Sequence, residues 1–210
     1  MHAGLPAILR KHRMVIGIYN INGNALERTD RIELDVDGER TAVPELIGKK
    51  QPDLLLLNDE DWTYAKTRLD ASSMKTVVSN LSTLSDSLPR ALLLTTAWDM
   101  NRDAEMSTTD FIELLKSSLP RETFIPIVQR VLMQARAAAQ NFGAPHKVET
   151  HMVNLADAYL SWARTFPIGS DVQFAAAKNF VSIARTPEQV ELMKGLLAGT
   201  ASIEGVAVDA

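Results

Sequence analysis

An antiparallel sheet is predicted by residues 14–38, which read MVIGIYNINGNALERTDRIELDVDG. Two runs in this stretch alternate in side-chain type: Met14, Ile16 and Ile18 with Val15, Gly17 and Tyr19, and Ile32, Leu34 and Val36 with Glu33, Asp35 and Asp37. A period of two is typical of strands that bury one face. Asn22-Gly23 and Asp37-Gly38 tolerate positive φ and lie beside these runs, so both are predicted to form hairpin turns.

One more strand is predicted at Leu54–Leu57, an unbroken run of leucines that Asn58 and Asp59 follow. Such a run is typical of a strand buried on both faces. We therefore expect the β part over about residues 8–58.

After Asp61 the apolar spacing changes to that of helices. Helices are predicted at roughly 72–84, 88–103, 108–118, 122–141, 146–165, 171–185 and 187–198. Three starts carry capping residues: Ser107 with Asp110, Ser170 with Gln173, and Thr186 with Pro187 and Gln189. Gly143, Gly169 and Gly199 follow helical stretches, where a left-handed residue commonly ends a helix, and Pro145 and Pro167 lie near such ends.

Short connections between these helices predict antiparallel neighbours. Two inward-facing apolar stripes are expected: Phe174, Ala177, Val181 and Ala184 on one helix, and Val190, Met193 and Leu197 on the next. Stacked helical hairpins of this kind form HEAT-like arrays. The predicted fold is α+β in two domains: a small antiparallel β-sandwich over residues 1–58, then an all-α, HEAT-like helical array over residues 59–210.

Composition excludes several classes of function. The net charge of −4 gives no basic field for nucleic acid. The absence of cysteine excludes disulfides and thiolate chemistry and favours a reducing compartment, so the cytoplasm is expected. Basic residues follow the first apolar residues rather than precede them, and no apolar run approaches the roughly 20 residues of a membrane span, so neither a signal peptide nor a membrane anchor is predicted.

The histidines are His2, His12, His146 and His151. His146 and His151 enclose a glutamate, as a zinc-protease helix does, but their spacing is i, i+5 rather than i, i+4. About 500° of helical rotation then separates them, so the two rings diverge by about 140°. A solvated first helical turn is the favoured interpretation, and metal binding is the alternative.

Asp59, Glu60 and Asp61 could pair for acid–base catalysis, but three consecutive acids after a strand more often form a solvated turn. Trp98-Asp99 is interpreted as one core and one surface residue of a helix. No Gly-x-Gly-x-x-Gly, Walker or Gly-x-Ser-x-Gly motif occurs. We therefore assign no catalytic, cofactor-binding or metal-binding residue from the sequence.

Two stretches resemble a known family. The first is residues 30–44, DRIELDVDGERTAVP, continuing through Leu54–Leu57 to residues 58–70. It resembles the junction between sandwich and helices in bacterial aminopeptidase N, a gluzincin metallopeptidase. The family has an Asn at the end of a strand, then a Tyr, a basic residue and an Asp; these positions fall on Asn58, Tyr64, Lys66 and Asp70.

The second stretch comprises residues 86–91, DSLPRA, and residues 97–105, AWDMNRDAE, which resemble the first helices of that family's C-terminal domain. Residues 186–206 are similar to a later part of the same domain. The matched motifs belong to the scaffold and cover nearly the whole chain.

The resemblance implies a parent enzyme that removes N-terminal residues from peptides with one zinc ion, which activates water. The family's His-Glu-x-x-His and Gly-x-Met-Glu-Asn motifs do not occur in this sequence. The resemblance therefore implies a non-catalytic C-terminal portion, inactive alone, whose partners are the catalytic domain of the same polypeptide and the parent enzyme's peptide substrates. Its implied role is to cap the active-site chamber and limit substrate access.

The same resemblance predicts further helices after this chain, and hence an exposed apolar patch at Val190–Leu197 and Ile203–Val208. Two other functions stay open. One is a free-standing HEAT-like module that binds a peptide or protein, and the other is an independent hydrolase, for which the sequence offers no assembled site.

Overall fold

The chain forms two compact units, Met1–Thr96 and Ala97–Ala210. The computed structural model describes residues 9–207, so the first eight residues of the predicted β domain lie outside the described residues. The two units divide within a helix, and the domain boundary expected after residue 58 stays a prediction.

The first unit contains an antiparallel three-stranded sheet with the strand order β2-β1-β3. Its strands are β1 (His12–Asn22), β2 (Ala25–Val36) and β3 (Leu54–Leu57). The hairpin predicted at Asn22-Gly23 is confirmed, because Asn22 pairs with Ala25 and Gly23 has a φ of 59°. Positive φ at the first loop residue fits a type II′ turn, whose twist matches that of the two strands.

The strand predicted at Leu54–Leu57 is also confirmed. Leu54 and Leu56 are fully buried, whereas Leu55 and Leu57 are half-buried against a cluster formed by Ile16, Ile18 and Ile32. One face of β3 is therefore completely covered and the other in part.

The hairpin predicted at Asp37-Gly38 is wrong. Gly38 does have a φ of 78°, but the chain continues as a loop with a 3-10 turn at Pro44–Leu46 before it reaches β3. Pro44 and Pro52 lack the N–H that a strand would donate, which disfavours another strand here. Val43 and Leu46 of this loop pack on the isoleucine cluster. Residues 9–207 thus form one sheet, and the second sheet of the predicted sandwich is not among them.

Among residues 9–207 the sheet has two edge strands, β2 and β3, of which β2 is the longer. Its middle residues, 27–31, are exposed and mostly charged. A bulge lies there: Ile18 pairs with Asp30 and Tyr19 with Arg28, which leaves Thr29 as the extra residue. Bulges and charges are features with which proteins protect free strand edges.

The seven predicted helices are confirmed. They are α1 (Ala71–Asn80), α2 (Ser87–Arg102), α3 (Thr108–Ser118), α4 (Ile125–Ala137), α5 (Val148–Thr165), α6 (Asp171–Ile183) and α7 (Pro187–Ala198). Along residues 9–207, none of the helices combines the length and apolar character needed to span a bilayer.

Local hydrogen bonds explain where the helices begin. Ser107, Ser170 and Thr186 each accept a hydrogen bond from the backbone three residues later, and Thr186 forms a complete capping box with Gln189. These three predicted starts are confirmed. The predicted start of α4 at residue 122 is early by three residues, because the Glu122 side chain accepts from the Thr123 and Phe124 N–H groups and holds a turn there.

Helix ends are confirmed in part. Gly199 caps α7 in the left-handed conformation, with a φ of 71°, as expected. Gly169 also has a positive φ, 72°, but it lies in the turn before α6, because α5 already ends at Thr165 with the extended residue Phe166 as its cap. Gly143 follows a π-helical turn, Ala138–Phe142, that extends α4, and its φ is −84°. The left-handed conformation expected for Gly143 is therefore wrong.

In the second unit, α5 packs against α3, α4, α6 and the π-helical turn. The buried side of α6 is formed by Val172, Ala175, Ala176, Ala177, Phe180 and Ile183. The expected inward stripe on α6 is wrong, because Phe174 is 55% exposed and Val181 47% exposed. Small alanines on the buried side permit close packing on α5, whereas Phe174 and Val181 lie on the outer side.

One glutamine connects three parts of this unit. The Gln173 amide group donates to the carbonyl oxygens of Ala163 and Glu204, each at 2.8 Å. Its Oε1 accepts from the Gly169 N–H at 2.7 Å. Gln173 therefore links the end of α5 and the start of α6 to the segment that follows α7.

Candidate functional site

The three consecutive acids after β3 do not form the solvated turn predicted from sequence. The Asp59 side chain is fully buried; its Oδ1 accepts from the Tyr19 hydroxyl at 2.6 Å and its Oδ2 from Arg28 at 2.9 Å. Only Asp61 of the three is exposed. The prediction failed for Asp59 because its partners lie on β1 and β2, far away in sequence.

Space for the Asp59 carboxylate comes from Gly17. A Cβ at Gly17 would overlap the carboxylate and would lie 2.6 Å from Cε2 of Tyr19. Burial and the hydrogen bond to Asp59 raise the pKa of Tyr19 well above its ordinary value. Tyr19 therefore stays a hydrogen-bond donor at neutral pH.

Charged side chains continue this network to the surface. Glu60 accepts from Arg28 at 3.3 Å and from Arg31 at 3.0 Å, and Arg31 also pairs with Glu33. The Arg31 guanidinium lies 5.8 Å from the ring centroid of Trp62. Each of these charged side chains has a partner of opposite charge. The ion pairs of Arg28 and Arg31 with Glu60 therefore join β2 to the loop after β3.

The positions carried by the family resemblance have structural roles. Asn58 is buried with a φ of 59°, and its side-chain amide exchanges hydrogen bonds with the backbone of Thr63. Asp70 caps α1 by accepting from the N–H groups of Ser72 and Ser73. The hydrogen bonds from Ser73 lower the pKa of Asp70. Tyr64, by contrast, is fully exposed.

The two histidines at i, i+5 have different environments. His146 is exposed on a 3-10 turn, Pro145–Lys147, before α5. His151 is only 6% exposed, and its Nε2 lies 3.0 Å from the Thr109 hydroxyl. The solvated first turn is therefore wrong for His151. His2 lies outside the described residues.

A protein holds a zinc ion with a cluster of His, Cys, Asp or Glu side chains. Between residues 9 and 207 there is no group of three or more His, Cys, Asp or Glu side chains that could hold a metal ion. The donor set of the described residues thus does not fit a zinc site, and we assign zinc to none of them.

Trp98, predicted to be a core residue, is half-buried and packs against other aromatic rings. Its ring packs on Phe111 at 5.9 Å and edge-on against Phe142 at 5.6 Å between centroids. Arg102 lies over the same ring at 5.7 Å. The residue therefore helps to hold the corner between α2, α3 and the π-helical turn.

An apolar groove of about 340 Å³ lies between α6, α7 and the segment after α7. Its lining includes Phe174, Val181, Met193, Leu196, Leu197, Ile203 and Val206. Leu197 is 73% exposed. Of the exposed patch predicted at Val190–Leu197, Leu197 is exposed and Val190 and Met193 are half-buried; Ile203 is buried, and Val208 lies outside the described residues. The sequence signals for the groove were the apolar stripes of α6 and α7, since Phe174, Ala177, Val181, Met193 and Leu197 all line it.

Residues 54–209 match the model of the family described as ERAP1-like C-terminal domain. The chain belongs to this family. It is also 48% identical over 202 residues to a protein named aminopeptidase N from Streptomyces lividans. That alignment covers 96% of this chain and 24% of the relative, so the chain spans about a quarter of the relative's length. The resemblance to the aminopeptidase N family is confirmed.

Proposed function

We propose that this chain is the non-catalytic C-terminal portion of a zinc-dependent aminopeptidase that removes N-terminal residues from peptides. The observation that carries the proposal is the 48% identity along 96% of the chain to a protein named aminopeptidase N. The sequence contributes a second argument, because the His-Glu-x-x-His motif of such enzymes does not occur in it. Zinc would be held by the parent enzyme's catalytic domain, and the chain alone would be inactive.

The role we propose for it is to cap the active-site chamber and limit which peptides enter. The packing of α3, α4 and α6 on α5 supports a HEAT-like array. Such arrays present extended surfaces to other domains, as a capping role requires. The partly covered face of β3, with Leu55 and Leu57, supports a β-sandwich whose second sheet comes from another part of the polypeptide. The catalytic domain and peptide substrates would be its partners, and the cytoplasm its compartment.

The test compares three proteins: this chain, the longer polypeptide encoded around it, and that polypeptide without residues 9–207. We expect one zinc per molecule and hydrolysis of aminoacyl-anilides only where the catalytic domain is present. Removal of the chain should reduce the discrimination between short anilides and long peptides, measured as the ratio of their kcat/KM values. One equivalent of tightly held zinc on the chain alone would overturn the proposal.

The alternative is a free-standing HEAT-like module that binds a peptide or protein. The groove beside α6 favours it, because apolar grooves between helices accept amphipathic segments. A coding sequence without a His-Glu-x-x-His helix upstream of this chain would support the module, and its presence would support the peptidase.

A further inference from the structure

A buried histidine joins α3 to α5 in the second unit. His151 lies in the first turn of α5, and its Nε2 is 3.0 Å from the hydroxyl of Thr109 in the first turn of α3. Its Nδ1 is buried, and no hydrogen-bond partner for it exists among residues 9–207. The tautomer with hydrogen on Nε2 fits best, because it leaves a lone pair unpaired at Nδ1 rather than a buried N–H.

The unpaired nitrogen faces Gly143, the residue after the π-helical turn. A Cβ at Gly143 would lie 3.0 Å from Nδ1 and 3.3 Å from Cε1 of His151. Since the φ of Gly143 is −84°, any residue could adopt its backbone conformation. The requirement for glycine here is therefore one of space for the imidazole ring.

The surroundings of the His151 ring oppose its protonation. Burial and, second, the nearby cation Lys147 lower the pKa of His151. On α3 the neighbouring Asp110 is exposed and bonded to Ser107, and the π-helical turn carries no charged residue. The charged residues that α4 and α6 contribute are Arg130, Arg136, Asp171 and Lys178, and none of them acts on His151.

We propose that this corner is an acid-sensitive latch, in which neutral His151 holds the first turn of α3 against α5 and uptake of one proton at Nδ1 opens the contact. A protonated imidazole has two N–H donors, but Thr109 supplies one acceptor and Gly143 faces the other nitrogen. A buried, unpaired cationic N–H is costly, so the ring must leave its packed position between Thr109 and Gly143 until water reaches Nδ1, and the α3–α5 contact opens with it.

The direction of the pH dependence follows from proton binding. The open corner, with an ordinary histidine, binds more protons than the closed corner below about pH 6.5. The closed state is therefore fully favoured above that pH and loses its advantage as the pH falls toward the lowered pKa. The loss is about tenfold in the closing equilibrium for each unit by which the pKa is lowered.

Amide hydrogen exchange on the full chain tests the latch. Protection factors of Asp110 and Phe111, corrected for the intrinsic effect of pH, should be lower at pH 5 than at pH 7.5, by about tenfold for each unit by which the His151 pKa is lowered. The variant His151→Gln keeps an amide donor for Thr109 and cannot titrate, so its protection should not change over this range. The matched control His146→Gln removes an exposed histidine and should retain the wild-type fall.

An NMR titration of the His151 ring in the wild-type chain tests the latch even if the glutamine variant fails to fold. In the wild-type chain, the midpoint for loss of protection must coincide with the titration of His151, below about pH 6.5. Equal falls in wild type and His151→Gln, or a His151 titration that leaves α3 protected, would overturn the proposal.

Discussion

Tyr19 and Tyr159 each bury a hydroxyl that donates a 2.6 Å hydrogen bond, but their acceptors differ in charge. Tyr19 donates to the Asp59 carboxylate, and Tyr159 donates to the main-chain carbonyl of Leu132. Hydrogen bonds to a charged acceptor contribute more, because an ionised group that loses a donor stays buried and poorly solvated. The pair therefore offers an internal comparison of the two kinds of bond.

We expect Tyr19→Phe to lower the free energy of unfolding by about 2–3 kcal/mol and the matched Tyr159→Phe by about 1 kcal/mol. Urea titration gives both values, and exchange of the β1 and α5 amides shows which unit each change affects. Equal losses of unfolding free energy in the two variants would mean that Arg28 alone is enough to stabilise the buried Asp59 carboxylate.

Burial of Asp59 and His151 could not be read from the sequence. Three adjacent acids are usually solvated, and a histidine near a helix start, four residues after a lysine, usually is too. Each of these side chains fits into the interior because a glycine elsewhere in the chain leaves room for it. Gly17 makes space for Asp59, and Gly143 makes space for His151. Periodicity along one element carries no information about such pairings.

Among the elements, those with a local signal were predicted best. The starts of α3, α6 and α7 depend on contacts between residues three apart, and their sequence patterns specify them. The loop between β2 and β3 has no such signal beyond its prolines, and a turn-forming pair at its start gave a false hairpin. The groove face of α6 was mistaken for its core face because the helix is apolar on both sides.

The sheet depends on the helices of its own unit. α1 contacts β3, where Ser73 Oγ accepts from the Leu55 N–H at 3.0 Å, and Thr83 accepts from the Leu26 N–H at 3.0 Å. We therefore expect a fragment Met1–Asp61 to be unfolded, since about 60 residues without these partners form only a marginal core.

The longer fragment Met1–Thr96 is the matched control and should be folded, because it retains α1. Thermal unfolding, monitored by circular dichroism, distinguishes the folded fragment from the unfolded one. A cooperative transition in the shorter fragment would show that the sheet needs no helix.

For the whole molecule, the consequence of the apolar groove is association in solution. Exposed apolar surface on this scale tends to find a partner, so we expect self-association that grows with concentration. Leu197→Lys should reduce it, whereas Met133→Lys should not, because Met133 is 65% exposed but lies outside the groove. Light scattering over a concentration series measures the effect, and a monomer at every concentration would contradict the prediction.

The charged and bulged edge of β2 determines what form such association can take. Addition of a strand there would strip water from charged side chains and would have to match an irregular register at Thr29. Growth of cross-β fibrils from the folded chain is therefore disfavoured at β2, the longer sheet edge within residues 9–207. Clusters of this protein should therefore consist of native molecules joined through their helices, and dilution should disperse them.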